Sequence, residues 1–168
     1  MDASVKKLTR AALMAALSVV LLWLGTVLPS GRLALTAISG VLTALTLIHC
    51  GAGYAWGVFA AAGILGLLLL PQKAPALLYL ALLGYYPLLK SFLERLRRRW
   101  AEWTLKLLVC NAALFVVLLL ARELLAPQIR DLPQILIHLG VSVVFVIYDR
   151  GLTGLLQYYI RQISGHIR

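Results

Sequence analysis

From Leu33 to Leu70 the chain runs for 38 residues without a single Lys, Arg, Asp or Glu, and His49 is the one residue in that run able to carry a positive charge. As one helix at about 1.5 Å per residue it would reach about 57 Å, nearly twice the ~30 Å hydrocarbon core of a bilayer. The run must therefore break, and His49-Cys50-Gly51-Ala52-Gly53 is the one turn signal inside it. Nor can it be hidden from water. The chain is 62% hydrophobic and 13% charged, against about half apolar and a quarter charged in soluble domains. A domain of this size buries only about two-thirds of its unfolded surface, so the excess would lie exposed as apolar patches. A soluble fold is excluded, as are disorder, which requires low hydrophobicity, and collagen, because the 13 Gly and 6 Pro follow no period of three.

The same arithmetic divides the whole chain into six spans. Helix 1 covers about 8–28 and ends at Pro29-Ser30-Gly31. Its apolar stretch from Ala11 to Leu28 exceeds a signal-peptide core of about 7–15 residues and is followed by no small-x-small cleavage site, so it reads as a retained span. Helices 2 and 3 cover 33–48 and 52–70. Helix 4 follows Pro71 and Pro75 over 74–92, with Pro87 expected to kink it near its end. Helix 5 covers 104–125, and helix 6 covers 133–159, long enough to project beyond the bilayer. The expected architecture is a single all-α polytopic membrane domain over residues 1–168.

The formal charge of +10 is then sorted by topology. With the N-terminus cytoplasmic, twelve of the 16 Lys and Arg fall on inner segments, and four, Arg32, Lys73, Arg122 and Arg130, fall on outer ones. Five spans would move the C-terminal arginines outside, so six spans with both termini cytoplasmic fit better. The basic excess is thus a record of orientation and not a nucleic-acid footprint. Cys50 and Cys110 lie in or beside apolar runs and read as small hydrophobes, not as a disulfide framework.

Few residues carry polar chemistry. Helix 1 holds Ala11, Ala12, Ala15 and Ala16, two interleaved small-xxx-small pairs that let another helix approach closely. Such pairs serve either packing within the bundle or docking of a second membrane subunit. Gly53, Gly57 and Ala61 repeat the device on helix 3, where internal packing is expected. The basic segment 90–106 places Leu93, Leu96, Trp100 and Trp103 at three- and four-residue steps, as in an amphipathic helix at the inner surface. Its role is anchoring or partner contact. Asp149, about 16 residues into helix 6, shares its depth with Lys90 and Lys106, and an ion pair is expected there as a structural clamp, with a proton relay as the alternative. Asn111 is a buried amide expected to bond between helices. Arg32, Tyr79 and His138 are the candidates to line an outward-facing cavity.

Catalysis finds no support. Walker A, H-E-x-x-H and G-x-S-x-G sequences are missing, and Gly51-Ala52-Gly53 lacks the third glycine of a dinucleotide loop. His49, His138 and His166 fall at different depths, so no metal cluster is indicated. We therefore expect neither an enzyme nor a resident cofactor.

The start Lys7-Leu8-Thr9-Arg10-Ala11-Ala12-Leu13-Met14-Ala15-Ala16-Leu17, the short Pro-Gly first loop and six spans in a chain of this length resemble the substrate-binding S components of energy-coupling factor (ECF) transporters. Gly84-Tyr85-Tyr86-Pro87-Leu88-Leu89-Lys90, Lys106-Leu107-Leu108-Val109-Cys110-Asn111 and Val146-Ile147-Tyr148-Asp149-Arg150 resemble a family of small bacterial membrane proteins of that layout without assigned function. The S-component resemblance implies a plasma-membrane subunit that binds a vitamin-like ligand and docks through alanine-rich helix 1 onto a transmembrane T component driven by separate ATPases. That would account for the missing Walker motif. Metal-transporting relatives place a histidine at the extreme N-terminus, where this chain has Met1-Asp2-Ala3, which argues against nickel or cobalt. The alternative is a membrane scaffold without ligand, similar in size and span count to the rod-shape protein MreD.

Overall fold

A computed structural model describes residues 3–93, 99–121 and 133–165, and no strand occurs among them. In chain order the helices are α1 (Ala3–Val27), α2 (Arg32–Cys50), α3 (Ala52–Leu69), α4 (Ala74–Leu78), α5 (Tyr86–Leu93), α6 (Arg99–Ala121) and α7 (Gln134–Gly165). A 3-10 turn, Pro29–Gly31, links α1 to α2, and a π turn, Tyr79–Leu83, follows α4. Five stretches are long and apolar enough to cross a membrane: Ala3–Val27, Arg32–Cys50, Ala52–Leu69, Ala74–Leu93 and Ile135–Tyr159. Within α6, Thr104–Ala113 forms a shorter apolar stretch. Among the described residues the protein is thus all-helical, with five helical stretches long and apolar enough to cross a membrane and a sixth, shorter candidate in α6.

The chain divides into two compact units, Met1–Leu132 and Pro133–Arg168. In the first, α1 packs most extensively on α2, and α3 covers both. Leu22, Ala62, Leu70, Ala76 and Tyr79 form one buried cluster; Ala11, Ala15 and Val58 form another. In the second unit α7 buries Phe145, Asp149 and Leu152, one stripe at steps of four and three, and exposes Ile135, Leu139, Val143 and Ile147. Large aliphatics turned outward are the normal state when the solvent is hydrocarbon.

The long uncharged run breaks at Gly51. Its φ of 99° and ψ of 172° lie where only glycine sits without strain. Its N–H closes α2 on the Leu47 carbonyl at 3.2 Å, and its own carbonyl accepts the Ala55 N–H that opens α3, at 3.1 Å. One residue thus ends one span and begins the next. Gly51→Ala is expected to lower stability by about 1–2 kcal/mol, because a Cβ forces unfavourable backbone geometry although nothing crowds the position. An unchanged midpoint of denaturant unfolding in detergent would contradict that account.

The fourth span is not one helix kinked at Pro87. The Gly84 N–H reaches back five residues to the Tyr79 carbonyl at 2.7 Å, and α5 starts anew at Tyr86 with Pro87 in its first turn. The cause is still the proline. Its ring excludes the carbonyl four residues earlier, that of Leu83, so the chain widens into a π turn and bends at Gly84-Tyr85 before the proline. Of the basic segment, Lys90 belongs to α5 and Lys106 to α6. Arg95, Leu96, Arg97 and Arg98 lie outside the described residues, as do the side chains of Trp100 and Trp103.

Candidate functional site

The buried face of α2 is a row of hydroxyls. Thr36, Ser39, Thr43 and Thr46, with Cys50 beyond them, follow one another at steps of three and four, and all are buried. That spacing keeps them on a single stripe of the helix. Hydroxyls are tolerated there because a helix can satisfy them itself: Thr36 donates to the Arg32 carbonyl at 2.7 Å and Thr46 to the Leu42 carbonyl at 2.8 Å. Thr43 instead meets the Tyr79 hydroxyl at 2.8 Å, across 36 residues of chain. The hydroxyl of Ser18 on α1 is fully buried and has no hydrogen-bond partner among the described residues, and that of Ser39 is fully buried beside the Tyr79 hydroxyl without a well-formed hydrogen bond. The row was legible in the sequence by counting steps of three and four, a signal that a search for charged residues passes over.

Tyr79 links the hydroxyl row to the cluster of Leu22, Ala62, Leu70 and Ala76. Its side chain is 0% exposed, and its ring lies 5.8 Å from that of Phe59, tilted by 37°. Phe59 also meets Trp56 at 5.7 Å and Tyr85 at 6.3 Å, both edge-on. Such pairs add about 0.5–1.5 kcal/mol each beyond the area they bury. The bend brings Gly84 against this cluster, where a Cβ would lie 2.7 Å from Tyr79 Cζ and 2.8 Å from Phe59 Cδ2.

Arg32 opens α2 at one end of the hydroxyl row. Its guanidinium donates to Gln72 Oε1 at 2.6 Å and, through Nε, to the Gly25 carbonyl at 3.3 Å. It thereby ties the end of α1, the start of α2 and the α3–α4 turn together. Thr43 lies eleven residues further along α2, about 16 Å along the axis, and Tyr79 is bonded there. Arg32 and Tyr79 therefore occupy different levels of the same unit. His138 lies half-buried on α7, in the second unit.

The alanines of α1 divide between two faces. Ala11 and Ala15 are buried against Val58 of α3, with Tyr54 and Ala61 beside them; Ala12 and Ala16 are exposed. On α3 the glycines expected to pack are Gly53 and Gly57, and a Cβ added at either would meet no described atom within 4 Å. A Cβ at Gly66 would meet Ala76 at 3.2 Å, and one at Gly63 would overlap Leu80. Of the three small residues expected to pack, Ala61 does so, against the Ala11, Ala15 and Val58 cluster, while the close glycine contacts fall at Gly63 and Gly66, where α4 and the π turn cross α3.

Two lysines and one aspartate are also buried among the described residues. Lys90 is 5% exposed, with its ammonium 5.7 Å from the centroid of the Tyr86 ring one turn back, a cation–π arrangement. Lys106 on α6 is 2% exposed and Asp149 on α7 is 3% exposed. Asn111 donates its amide to the Leu107 carbonyl of its own helix at 2.9 Å. Cys50 and Cys110 are free thiols and buried. Among the described residues no three of His, Cys, Asp and Glu gather closely enough to hold a metal ion. Compared with known proteins, the chain matches no family model, no curated protein and no solved structure.

Proposed function

We propose that this protein is the substrate-binding subunit of an ECF-type micronutrient uptake transporter, lying in the plasma membrane with both termini cytoplasmic and docking through Ala12 and Ala16 onto a transmembrane T component. It carries no catalytic role; separate ATPase subunits supply the energy. The observation that supports this reading is the division of α1. Ala11 and Ala15 satisfy the internal packing against α3, which leaves Ala12 and Ala16 as a second small-xxx-small pair turned outward, flanked by exposed Leu8, Leu13 and Leu17. A notch of two alanines between bulky aliphatics gives lipid little to fill but lets a helix backbone come close.

The test is copurification of the tagged full chain with its T component and ATPases from native membranes. Ala16→Trp is expected to reduce the recovered partners at least about tenfold, since 1.4 kcal/mol of lost helix packing already gives that factor, while the melting temperature stays unchanged. Ala15→Trp should instead lower the melting temperature, because its neighbours are Val58 and Ala61 of the same chain. Equal partner recovery from wild type and Ala16→Trp would refute docking by this face.

A membrane scaffold without ligand is the second reading. It is favoured by Tyr79, whose hydroxyl is engaged by Thr43 and turned from solvent rather than held ready for a ligand. A thermal screen of the purified protein against vitamins and metabolites separates the two, because a ligand that binds only the folded state raises the melting temperature.

A further inference from the structure

Where the N-terminal end of α1 meets the C-terminal end of α2, a cavity of about 290 Å³ opens between the helices, lined by Arg10, Met14, Leu45, Thr46, His49 and Cys50. The Cys50 thiol donates to the Lys7 carbonyl at 3.6 Å, which joins the two helix ends beside it. The walls are apolar toward the middle of the helices, at Met14 and Leu45, and nitrogen-bearing at the mouth, at Arg10 and His49.

Two features of charge mark what this cavity would take. From Ala3 to Leu93 the chain contains no Asp or Glu at all, so α1 to α5 offer Arg10 no carboxylate. In addition, Lys6, Lys7 and Arg10 all stand in the first two turns of α1, with no acid there, at the helix end where the backbone dipole favours an anion and disfavours cations. The one acid next to them in the sequence, Asp2, offsets a single charge of the three, so cations gathered at this end of a helix favour a further anion. A forked guanidinium beside an imidazole matches the oxygens of a phosphate. Basic pockets between helices at headgroup depth are where anionic lipid binds.

We propose that this cavity is a binding site for a phosphate-bearing anion, held by Arg10 and His49, with an anionic phospholipid headgroup as its occupant and Met14 and Leu45 against the glycerol and first methylenes. The site is independent of the docking face at Ala12 and Ala16 and of any transported ligand.

The experiment measures thermal unfolding of the purified full chain in neutral detergent during titration with phosphatidylglycerol, with phosphatidylcholine and with inorganic phosphate. Phosphatidylglycerol is expected to raise the melting temperature saturably. Arg10→Gln is expected to weaken its apparent affinity about tenfold or more, as loss of a charge-assisted hydrogen bond does. His49→Gln should weaken it less, and Lys73→Gln, which removes the same charge from the α3–α4 turn, should leave it unchanged. Protection by inorganic phosphate that likewise depends on Arg10 supports the site with a soluble occupant in place of lipid. Equal protection by phosphatidylcholine, equal loss in Arg10→Gln and Lys73→Gln, or no protection by either phosphate source overturns it. Arg10 and His49 are exposed, so the variants are expected to fold, and an unliganded melting temperature equal to wild type verifies that directly.

Discussion

Tyr79→Ala is expected to cost about 3–5 kcal/mol, the range for emptying a buried aromatic site, and to be the most damaging single truncation in the first unit. The side chain is wholly buried, touches the Phe59 ring and lies in the cluster with Leu22, Ala62, Leu70 and Ala76. Tyr79→Phe separates the hydroxyl from the ring. It keeps the packing and leaves Thr43 without its 2.8 Å partner, a loss of about 1–2 kcal/mol. Thr43→Val should cost a similar amount. The double variant should cost less than the two singles together, because once one partner is gone the other is already unsatisfied. Unfolding in a denaturant series in mild detergent measures all four. Additivity of Thr43→Val and Tyr79→Phe would show that the hydroxyls do not act as a pair.

The second large effect comes from adding one carbon. Gly84→Ala places a Cβ inside contact distance of Tyr79 Cζ and Phe59 Cδ2, atoms of two rings that are themselves held by neighbours. Relief requires moving the aromatic cluster or opening the bend, and overpacking of this kind costs about 1–3 kcal/mol. Gly84→Leu should exceed that and prevent the fourth span from closing on α3. Gly57→Ala is the matched control: the position is helical and faces open space, so its melting temperature should stay the same or rise, alanine being the better helix former. A loss at position 57 equal to that at position 84 would mean that glycine itself, and not the close approach, matters at these sites.

The two glycines show how far a sequence of this kind can be read. Hydropathy and length place the breaks well, because the bilayer imposes one scale on every span: the turn expected between His49 and Gly53 is centred on Gly51, and the boundaries of α2 and α3 fall within two residues of those expected. The start of α1 is less legible. Lys6 and Lys7 hide it from hydropathy, yet both are good helix formers and the helix extends through them to Ala3. Faces are harder still. Spacing shows that Ala11 pairs with Ala15 and Ala12 with Ala16, but only a neighbour decides which pair turns inward, and Val58 is more than 40 residues away. The same holds for Gly57 against Gly63 and Gly66, which share a helix and differ in what crosses it. Tyr79 could be singled out as a polar residue within a span, whereas its pairing with Thr43 depends on the π turn, a local response to Pro87 that no periodicity records. The hydroxyl row on α2 required no structure at all, only counting.

That row bears on how the chain enters a bilayer. Alone in hydrocarbon, α2 would present Ser39 and Thr43 to lipid tails that offer no hydrogen bonds, and each such hydroxyl carries a desolvation cost. In the folded unit α1, α4 and the π turn lie over that face, and α1 is joined to α2 by little more than the turn Pro29–Gly31. The partner of Thr43, however, is Tyr79 of the fourth span, so the α1–α2 hairpin by itself leaves that hydroxyl unanswered. Synthesis therefore runs ahead of burial: the polar side of α2 is complete only once the π turn has arrived against it.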